Sequence, residues 1–332
     1  MADAPVRIGI LGAGAMATTH AAAYADMPDV TVVGVFARDP ARAYAAAALC
    51  KAEPFTDAEA LIRHAGVDAI DVCLPSAIHC DFVIAALDAG KHVFCETPLA
   101  LQLDEARRMR DAARRADCLL QVGLLMRALG AYRHIKDVAV AGTYGRLLSV
   151  TTWRLGSYLH PDAPDHKAHY SEPSTELMTF DFDFIQWLMG PPNRLSASAA
   201  RTARHAPGET SALLSYDDGR HATVLASGLM PPGFAFTVGF RVLFEHAIFE
   251  HQAVFDKIPP TASFTIVEGK EPARSIPMPN QNPYEVELQR FVDCIRGRAD
   301  PALLDADRAI EALMLSTATQ RSLEEARSVE IV

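Results

Sequence analysis

Short apolar runs alternate with helix-favouring segments over the first 124 residues of the chain. The runs fall at about 6–12, 30–36, 68–74, 91–95 and 119–122, and the helical segments at about 15–26, 40–49, 57–64, 78–89 and 103–117. Nearly continuous apolar runs of this length are typical of strands buried on both faces of a parallel sheet. The alternation therefore predicts a doubly wound α/β domain over residues 1–124.

The pattern changes after Gly123. A helix near 130–140, a strand over 146–154 and a helix over about 175–189 precede mostly strand-like sequence from 194 to 276. Helices at about 283–296 and 305–326 and a strand at 329–332 close the chain. This order predicts an α+β domain over residues 125–332 with a mostly antiparallel sheet. One face of such a sheet is available to another subunit, so we expect a homodimer or homotetramer.

Composition excludes several classes of function. The 332 residues carry a formal net charge of -10, and no basic patch stands out, so nucleic acid and anionic membranes are poor partners. No apolar run approaches the roughly 18 residues that would indicate a transmembrane helix. The six cysteines are scattered without a C-x-x-C pair. We therefore expect reduced thiols in a cytoplasmic protein and no metal site.

The first apolar run leads into a glycine-rich turn, which predicts a dinucleotide site. The turn reads Gly12-Ala13-Gly14-Ala15-Met16-Ala17, a G-x-G-x-x-A pattern between a strand and a helix. In this pattern the first glycine makes the tight turn, and the second lets the backbone approach a pyrophosphate at the helix N-terminus. Gly12, Gly14, Ala15 and Met16 are therefore candidate cofactor-binding residues.

The end of the second strand indicates which cofactor binds. An NAD site usually has an acidic residue here that holds the ribose 2′-hydroxyl, but this chain has Ala37 followed by Arg38. An arginine can bind a 2′-phosphate through charge-assisted hydrogen bonds, which favours NADP. The alternative is NAD, with Asp39 on the ribose and Arg38 as a surface cation. Asp39 is more simply the N-cap of a helix that begins at Pro40.

Further motifs resemble the glucose–fructose oxidoreductase / inositol dehydrogenase / MocA family over essentially the whole chain. They are the stretch from Leu74 to His79, the stretch from Ala89 through Glu96-Thr97-Pro98 to Ala100, and the helix with Asp181-Phe182-Asp183 that ends at Gly190. The resemblance implies a Rossmann domain and a substrate domain built on a large open sheet. It also implies a nicotinamide cofactor bound further by Pro75, Ser76, His79, Glu96 and Thr97. It also implies a cis bond between Thr97 and Pro98.

The chain departs from this family at its usual catalytic positions. Thr97 stands where the family has a lysine, and Phe180 stands where it has a histidine. Glu176 occupies the family's acidic position, so we expect it to be the general acid or base, with Thr97 orienting the reacting oxygen. Substrate-binding positions correspond to Met126, Arg127, Phe180 and Asp183.

Two functions are compatible with these departures. One is an NADP(H)-dependent oxidoreductase for a small carbonyl, cyclic hemiacetal, alcohol or imine, because a drier pocket would raise the pKa of Glu176 into a useful range. His169 and Tyr170, in a polar segment that also contains Tyr158, His160, His166 and Lys167, are further catalytic candidates, although that segment also reads as a solvated loop. The other function is a catalytically inactive NADP-binding sensor or partner protein.

Overall fold

The computed structural model describes residues 4–160, 176–202, 206–257, 259–279 and 281–331. The chain forms two compact units, the first comprising Met1–Ala128 with Gln281–Ile310 and the second Leu129–Asn280 with Glu311–Val332. These units differ from a division at residue 124, because residues 281–310 return to the first unit. The domains 1–124 and 125–332 remain a prediction from the sequence.

The first unit contains a six-stranded parallel sheet. Its strands are β1 Val6–Leu11, β2 Val30–Phe36, β3 Glu53–Phe55, β4 Ala69–Val72, β5 His92–Cys95 and β6 Leu120–Val122, in the order β3-β2-β1-β4-β5-β6. The interleaved helices are α1 Ala15–Ala25, α2 Pro40–Leu49, α3 Ala58–Ile62, α4 His79–Asp88 and α5 Leu103–Ala116. The strand order reverses between β1 and β4, and ligands of such sheets bind beyond the carboxyl ends of the strands at this reversal. The predicted doubly wound domain is confirmed.

The returning segment supplies helix α8, Pro283–Ile295, to the first unit. It packs against α1. Arg296, which directly follows α8, forms an ion pair with Asp29 at 2.5 Å, and its Nη2 donates to the Ala4 carbonyl. These contacts hold α8 close to α1, although the two helices are more than 250 residues apart along the chain.

The second unit is built on a nine-stranded sheet. Helices α6 Gly130–Ala141 and α7 Met178–Met189 belong to it, and helix α9 spans Ala306–Glu325. The strands are β7 Leu147–Leu155, β8 Arg194–Arg201, β9 Pro207–Ser215, β10 His221–Ser227, β11 Thr237–Phe244, β12 Ala247–Val254, β13 Thr261–Glu268, β14 Arg274–Ser275 and β15 Val329–Glu330. Their order is β14-β13-β12-β11-β7-β10-β9-β8-β15, and only β7 and β10 pair in parallel. The mostly antiparallel sheet predicted from the sequence is confirmed.

Alternation along the strands of this sheet separates a buried face from an open one. On β7 the residues Val150, Thr152 and Arg154 are buried, whereas the residues between them are partly exposed. Because side chains alternate with a period of two, an arginine therefore lies on the core face of the strand. Among the described residues no helix is long and apolar enough to cross a membrane.

Candidate active site

The glycine turn after β1 has the geometry that a dinucleotide requires. Gly12 has a φ of 129°, and a Cβ there would lie 2.5 Å from the Cys73 carbonyl oxygen. Only glycine fits such a position. Gly14 is the N-cap of α1, where a Cβ would meet no atom within 4 Å. Gly14 offers no side chain to cap α1, so the first-turn N–H groups, including those of Ala15 and Met16, are directed at the place of an anion. The turn therefore fits a pyrophosphate.

Two arginines lie at the carboxyl end of β2. Arg38 is exposed and follows the buried Ala37. Arg42, on the first turn of α2, donates from Nη2 to the Ala13 carbonyl in the glycine turn at 3.0 Å. The Asp39 carboxylate accepts the Ala41 N–H at 2.9 Å, which confirms it as the N-cap of α2. Arg42 was not predicted from the sequence, although its position three residues after the N-cap Asp39 places it in the first turn of α2.

The segment after β4 holds three predicted cofactor residues. Pro75 is exposed and Ser76 partly exposed, whereas His79 is buried. His79 Nε2 lies 2.7 Å from the Leu74 carbonyl, and Nδ1 lies 3.1 Å from the Pro98 carbonyl. Burial lowers the pKa of His79. A neutral ring has one N–H, which Nε2 can donate to the Leu74 carbonyl, so Nδ1 can accept from the Cys95 thiol, whose Sγ lies 3.3 Å away.

The turn after β5 differs from the expectation for Thr97. The Thr97–Pro98 bond is cis, as predicted. The Thr97 hydroxyl donates to the Gly123 carbonyl at 2.8 Å, and the Thr97 N–H donates to Glu96 Oε2 at 3.1 Å. Because its proton is already used, the Thr97 hydroxyl is available to a ligand as an acceptor and not as the donor that its assigned role needs.

Beneath this turn lies a cluster of buried ionisable groups that sequence reasoning missed. His20 Nδ1 lies 2.8 Å from Asp71 Oδ2, and His20 Nε2 lies 2.8 Å from Glu96 Oε1. Two sets of side chains are close enough to share a metal ion, His20 with Asp71 and Cys73, and His20 with Glu96 and Glu287. An acidic residue inside the apolar run Ala69–Val72 was the signal in the sequence.

In the second unit, Arg154 joins two residues of α7. Its Nε donates to Asp181 Oδ2 at 2.7 Å, and its guanidinium lies 4.7 Å from the centre of the Phe180 ring. Burial raises the pKa of Asp181, which Arg154 partly opposes. A buried cation therefore covers the Phe180 ring, and the alternation along β7 could have indicated it.

The other predicted residues are mostly buried. Glu176 and Asp183 are 6% and 1% exposed, and each has polar partners in the structure. Met126 and Arg127 are buried in the first unit, where Arg127 donates from Nη1 to the Leu303 carbonyl at 2.9 Å. His169 and Tyr170, with His166 and Lys167, lie outside the described residues.

Comparison with known proteins agrees with this geometry. The family described as "Oxidoreductase family, NAD-binding Rossmann fold" matches residues 6–124, and the GFO/IDH/MocA C-terminal domain matches residues 132–250. A myo-inositol 2-dehydrogenase of Thermotoga maritima is 25% identical over 98% of both chains. A dTDP-3,4-didehydro-2,6-dideoxy-alpha-D-glucose 3-reductase of Saccharopolyspora spinosa is 34% identical, but the match spans only 45% of that protein and 44% of this chain.

Solved structures share the fold over nearly the whole length. A levoglucosan dehydrogenase in complex with NADH and L-sorbose superposes with a TM-score of 0.87 at 18% identity, covering 99% of this chain and 100% of that one. The WlbA dehydrogenase of Bordetella pertussis, in complex with NADH and UDP-GlcNAcA, has a TM-score of 0.81 at 21% identity, with 99% of each chain covered. The two family domains, the glycine turn and the sheet orders agree, and the chain belongs to the Gfo/Idh/MocA family of oxidoreductases, with a Rossmann domain for a nicotinamide cofactor.

Proposed function

We propose that the protein is an NADP(H)-dependent oxidoreductase for a small carbonyl, cyclic hemiacetal, alcohol or imine. The observation that carries the cofactor choice is the end of β2, where Arg38 and Arg42 supply two cations. Asp39, the acid that could serve an NAD ribose, already accepts the Ala41 N–H. Arginine forks bind phosphate oxygens well, whereas a neutral ribose hydroxyl gains little from them. When bound, the reduced nicotinamide would supply hydride to a carbonyl or imine, and the oxidised nicotinamide would accept hydride from an alcohol or cyclic hemiacetal.

A titration of both cofactors tests this preference. Wild-type protein should bind NADPH more tightly than NADH, and Arg38→Ala should weaken NADPH binding by roughly tenfold or more, the loss of one charge-assisted contact of about 1.5–3 kcal/mol. Binding of NADH should barely change. Arg63→Ala, at an exposed ion pair with Glu59 on α3, is the control and should leave both curves in place. Equal affinities for the two cofactors in the wild type would refute the proposal.

We assign the acid–base role in this function to Glu176, with Thr97, His169 and Tyr170 as the other catalytic candidates. Glu176 is a buried carboxyl in the unit that also holds Arg154 and Phe180. Met126, Arg127, Phe180 and Asp183 remain proposed substrate-binding residues. The relatives named above act on inositol and sugar nucleotides, which supports a cyclic polyol or sugar derivative as the first substrates to screen.

The second candidate is a cofactor-binding protein without catalysis. The engaged Thr97 hydroxyl favours this second candidate. Thr97 stands where the resemblance places the family's lysine, and it offers neither a charge nor a free proton. NADPH oxidation with aldehydes, lactols and cyclic imines, and NADP reduction with polyols, distinguish the two candidates. Turnover with any of them supports the enzyme, and tight binding of NADPH without turnover across the panel supports the sensor.

A further inference from the structure

The proposed chemistry leaves unused a buried cluster of ionisable groups in the first unit. The groups come from α1, from β4 and the turn after it, from the turn after β5 and from α8: His20, Tyr24, Asp71, Cys73, Glu96 and Glu287. His20, Asp71 and Glu287 are each 1% exposed or less. Ions buried this deeply cost several kcal/mol each unless they are paired or neutralised. The arrangement of protons within the cluster therefore matters.

His20 is the cation of the cluster. It contacts Asp71 through Nδ1 and Glu96 through Nε2, each at 2.8 Å, and the second contact lies off the direction of the ring N–H. Burial alone would lower the pKa of His20, but Cys73 and Asp71 outweigh it and the pKa is raised. Since burial raises the pKa of Cys73 and keeps its thiol neutral, Asp71, which His20 Nδ1 contacts directly, is the partner that stabilises the cation. An imidazole that faces a carboxylate on both sides carries both protons.

Glu287 is the third carboxyl group of the cluster. Neither of its oxygens has a hydrogen-bond partner among the described residues, and one of them lies within 4.8 Å of a His20 ring nitrogen and of a Glu96 oxygen. Burial and the charge of Glu96 raise the pKa of Glu287. One cation already faces two carboxylates, so ionised Glu287 would leave two uncompensated negative charges inside the unit. A proton on Glu287 removes one of them and provides a donor towards Glu96.

We propose that Glu287 carries a proton and is a positioning residue that holds Glu96 and the Glu96–Pro98 turn in the form that binds the cofactor. The positioning role rests on the proposed function, because it assumes that this turn contacts the nicotinamide nucleotide. Glu96 Oε2 accepts the Thr97 N–H, so the orientation of the carboxylate fixes the peptide that leaves β5. Loss of the proton would place two negative carboxylates side by side and push Glu96 out of this orientation.

The pH dependence follows from the groups that face Glu287. They are His20 and Tyr24 from α1, Asp71 from β4 and Glu96 after β5. Burial raises the pKa of Tyr24 and keeps its phenol neutral. A carboxyl with a raised pKa in the folded state contributes stability that is present below its unfolded value of about 4.3 and lost as pH rises through the folded value. The raised pKa of His20 also contributes stability that is lost as pH rises, and the unfolded pKa of histidine is about 6.5.

Glu287→Gln tests the proposal, because glutamine keeps the shape and a donor but is neutral at every pH. Glu324→Gln, at an exposed carboxylate on α9, is the matched control. The dissociation constant of NADPH and the free energy of unfolding of the apoprotein are measured from pH 6 to 9. In the wild type and the control, NADPH should bind about tenfold more weakly at pH 9 than at pH 6, equivalent to one pKa unit of coupling. The Gln variant should bind as the wild type does at pH 6 and show a smaller change.

Two results of this experiment would overturn the proposal. One is a Glu287→Gln variant whose NADPH affinity follows pH as the wild type does. The other is a folded Gln variant that binds NADPH tenfold more weakly than the wild type at pH 6, because the native group would then be the charged form.

Infrared spectra assign the proton directly. In apoprotein labelled with ¹³C-carboxyl glutamate, the carbonyl band of a protonated glutamic acid should be present at pH 6 and decline as pH rises. Glu287→Gln should lack the part of the band that Glu287 contributes, which separates it from other buried carboxyls such as Glu176. Absence of the band, or a stoichiometric divalent metal in the purified protein, would overturn the proton on Glu287. A protein that shows the band but binds neither NADPH nor NADH would refute the proposed function and the positioning role, while the proton assignment would stand.

Discussion

Arg154 and Asp181 form a buried pair, so neither residue is replaceable without consequences for the other. Arg154→Met keeps most of the apolar volume but leaves Asp181 without the cation that Nε supplies. Breaking a buried ion pair in this way costs about 3–5 kcal/mol of the free energy of unfolding. Because the abandoned carboxyl is best tolerated when protonated, the cost should be smaller at pH 5 than at pH 8. Urea denaturation at the two pH values measures it.

An exposed ion pair in the same sheet is the control for this prediction. Arg241 and Glu250 are paired across β11 and β12 with about half of each side chain exposed. Arg241→Met should cost less than about 1 kcal/mol, since surface pairs are screened by solvent. Similar losses for the two variants would show that burial does not govern the Arg154 pair.

Glu176→Gln tests the acid–base assignment. The substitution keeps the shape of the side chain and removes its titrating proton, so we expect kcat to fall about 100-fold or more with little change in cofactor affinity. The measurement is steady-state kinetics with whichever substrate the screen identifies, together with NADPH titration. An unchanged kcat would transfer the role to His169 or Tyr170, which His169→Ala and Tyr170→Phe then test.

At this scale the sequence predicts residues that share a motif and misses residues that only the fold brings together. Gly12, Gly14 and Asp39 were identified because their roles depend on near neighbours in the chain. His20 and Glu287 were missed, since 267 residues separate them and their contact depends on α8 packing against α1. Asp71, inside the apolar run Ala69–Val72, is a local signal for the cluster, but no short-range pattern marks its contact with Glu287.

At the scale of elements, the role of Asp39 as the N-cap of α2 can be tested separately from a role in cofactor binding. Asp39→Ala removes the acceptor for the Ala41 N–H and should cost about 0.5–2 kcal/mol of stability. It should leave the affinities for NADPH and NADH nearly unchanged. Asp57→Ala removes the corresponding cap of α3 and is the control for a purely structural loss. A selective loss of NADH affinity in Asp39→Ala alone would instead place Asp39 on the ribose.

Long periodic segments were the best predicted elements, and short or irregular ones the worst. Helix α2 begins and ends at the predicted residues 40 and 49, because Asp39 and Pro40 mark its start. Strand β3, Glu53–Phe55, was missed because three residues with a central proline carry no strand pattern. Helix α7 was predicted from about 175, a position outside the described residues. Its described span begins at Met178, after an N-cap without a capping side chain, so no capping residue marks that start.

At the scale of the whole molecule, the open face of the nine-stranded sheet bears on oligomeric state. Leu243 lies opposite Ile248, which in turn lies opposite Val267, so the three side chains form one row across β11, β12 and β13. Leu243 and Val267 are 37% and 36% exposed, and Leu213 on β9 is also exposed. We propose that this face is the contact surface of the homodimer or homotetramer, because an apolar row on an exposed sheet is stabilised by burial.

Leu243→Arg should therefore disrupt self-association. Burying a charge in an apolar contact without a partner is unfavourable by several kcal/mol, and a symmetric interface presents the substitution twice. Light scattering after size exclusion should report a dimer or tetramer for the wild type and a lower mass for the variant. Leu49→Arg, at an exposed leucine at the end of α2 in the first unit, should keep the wild-type mass. A monomeric wild type would refute the interface outright. An unchanged mass in a folded Leu243→Arg variant would move the interface to another surface, because a charge within the apolar row could not be accommodated without dissociation.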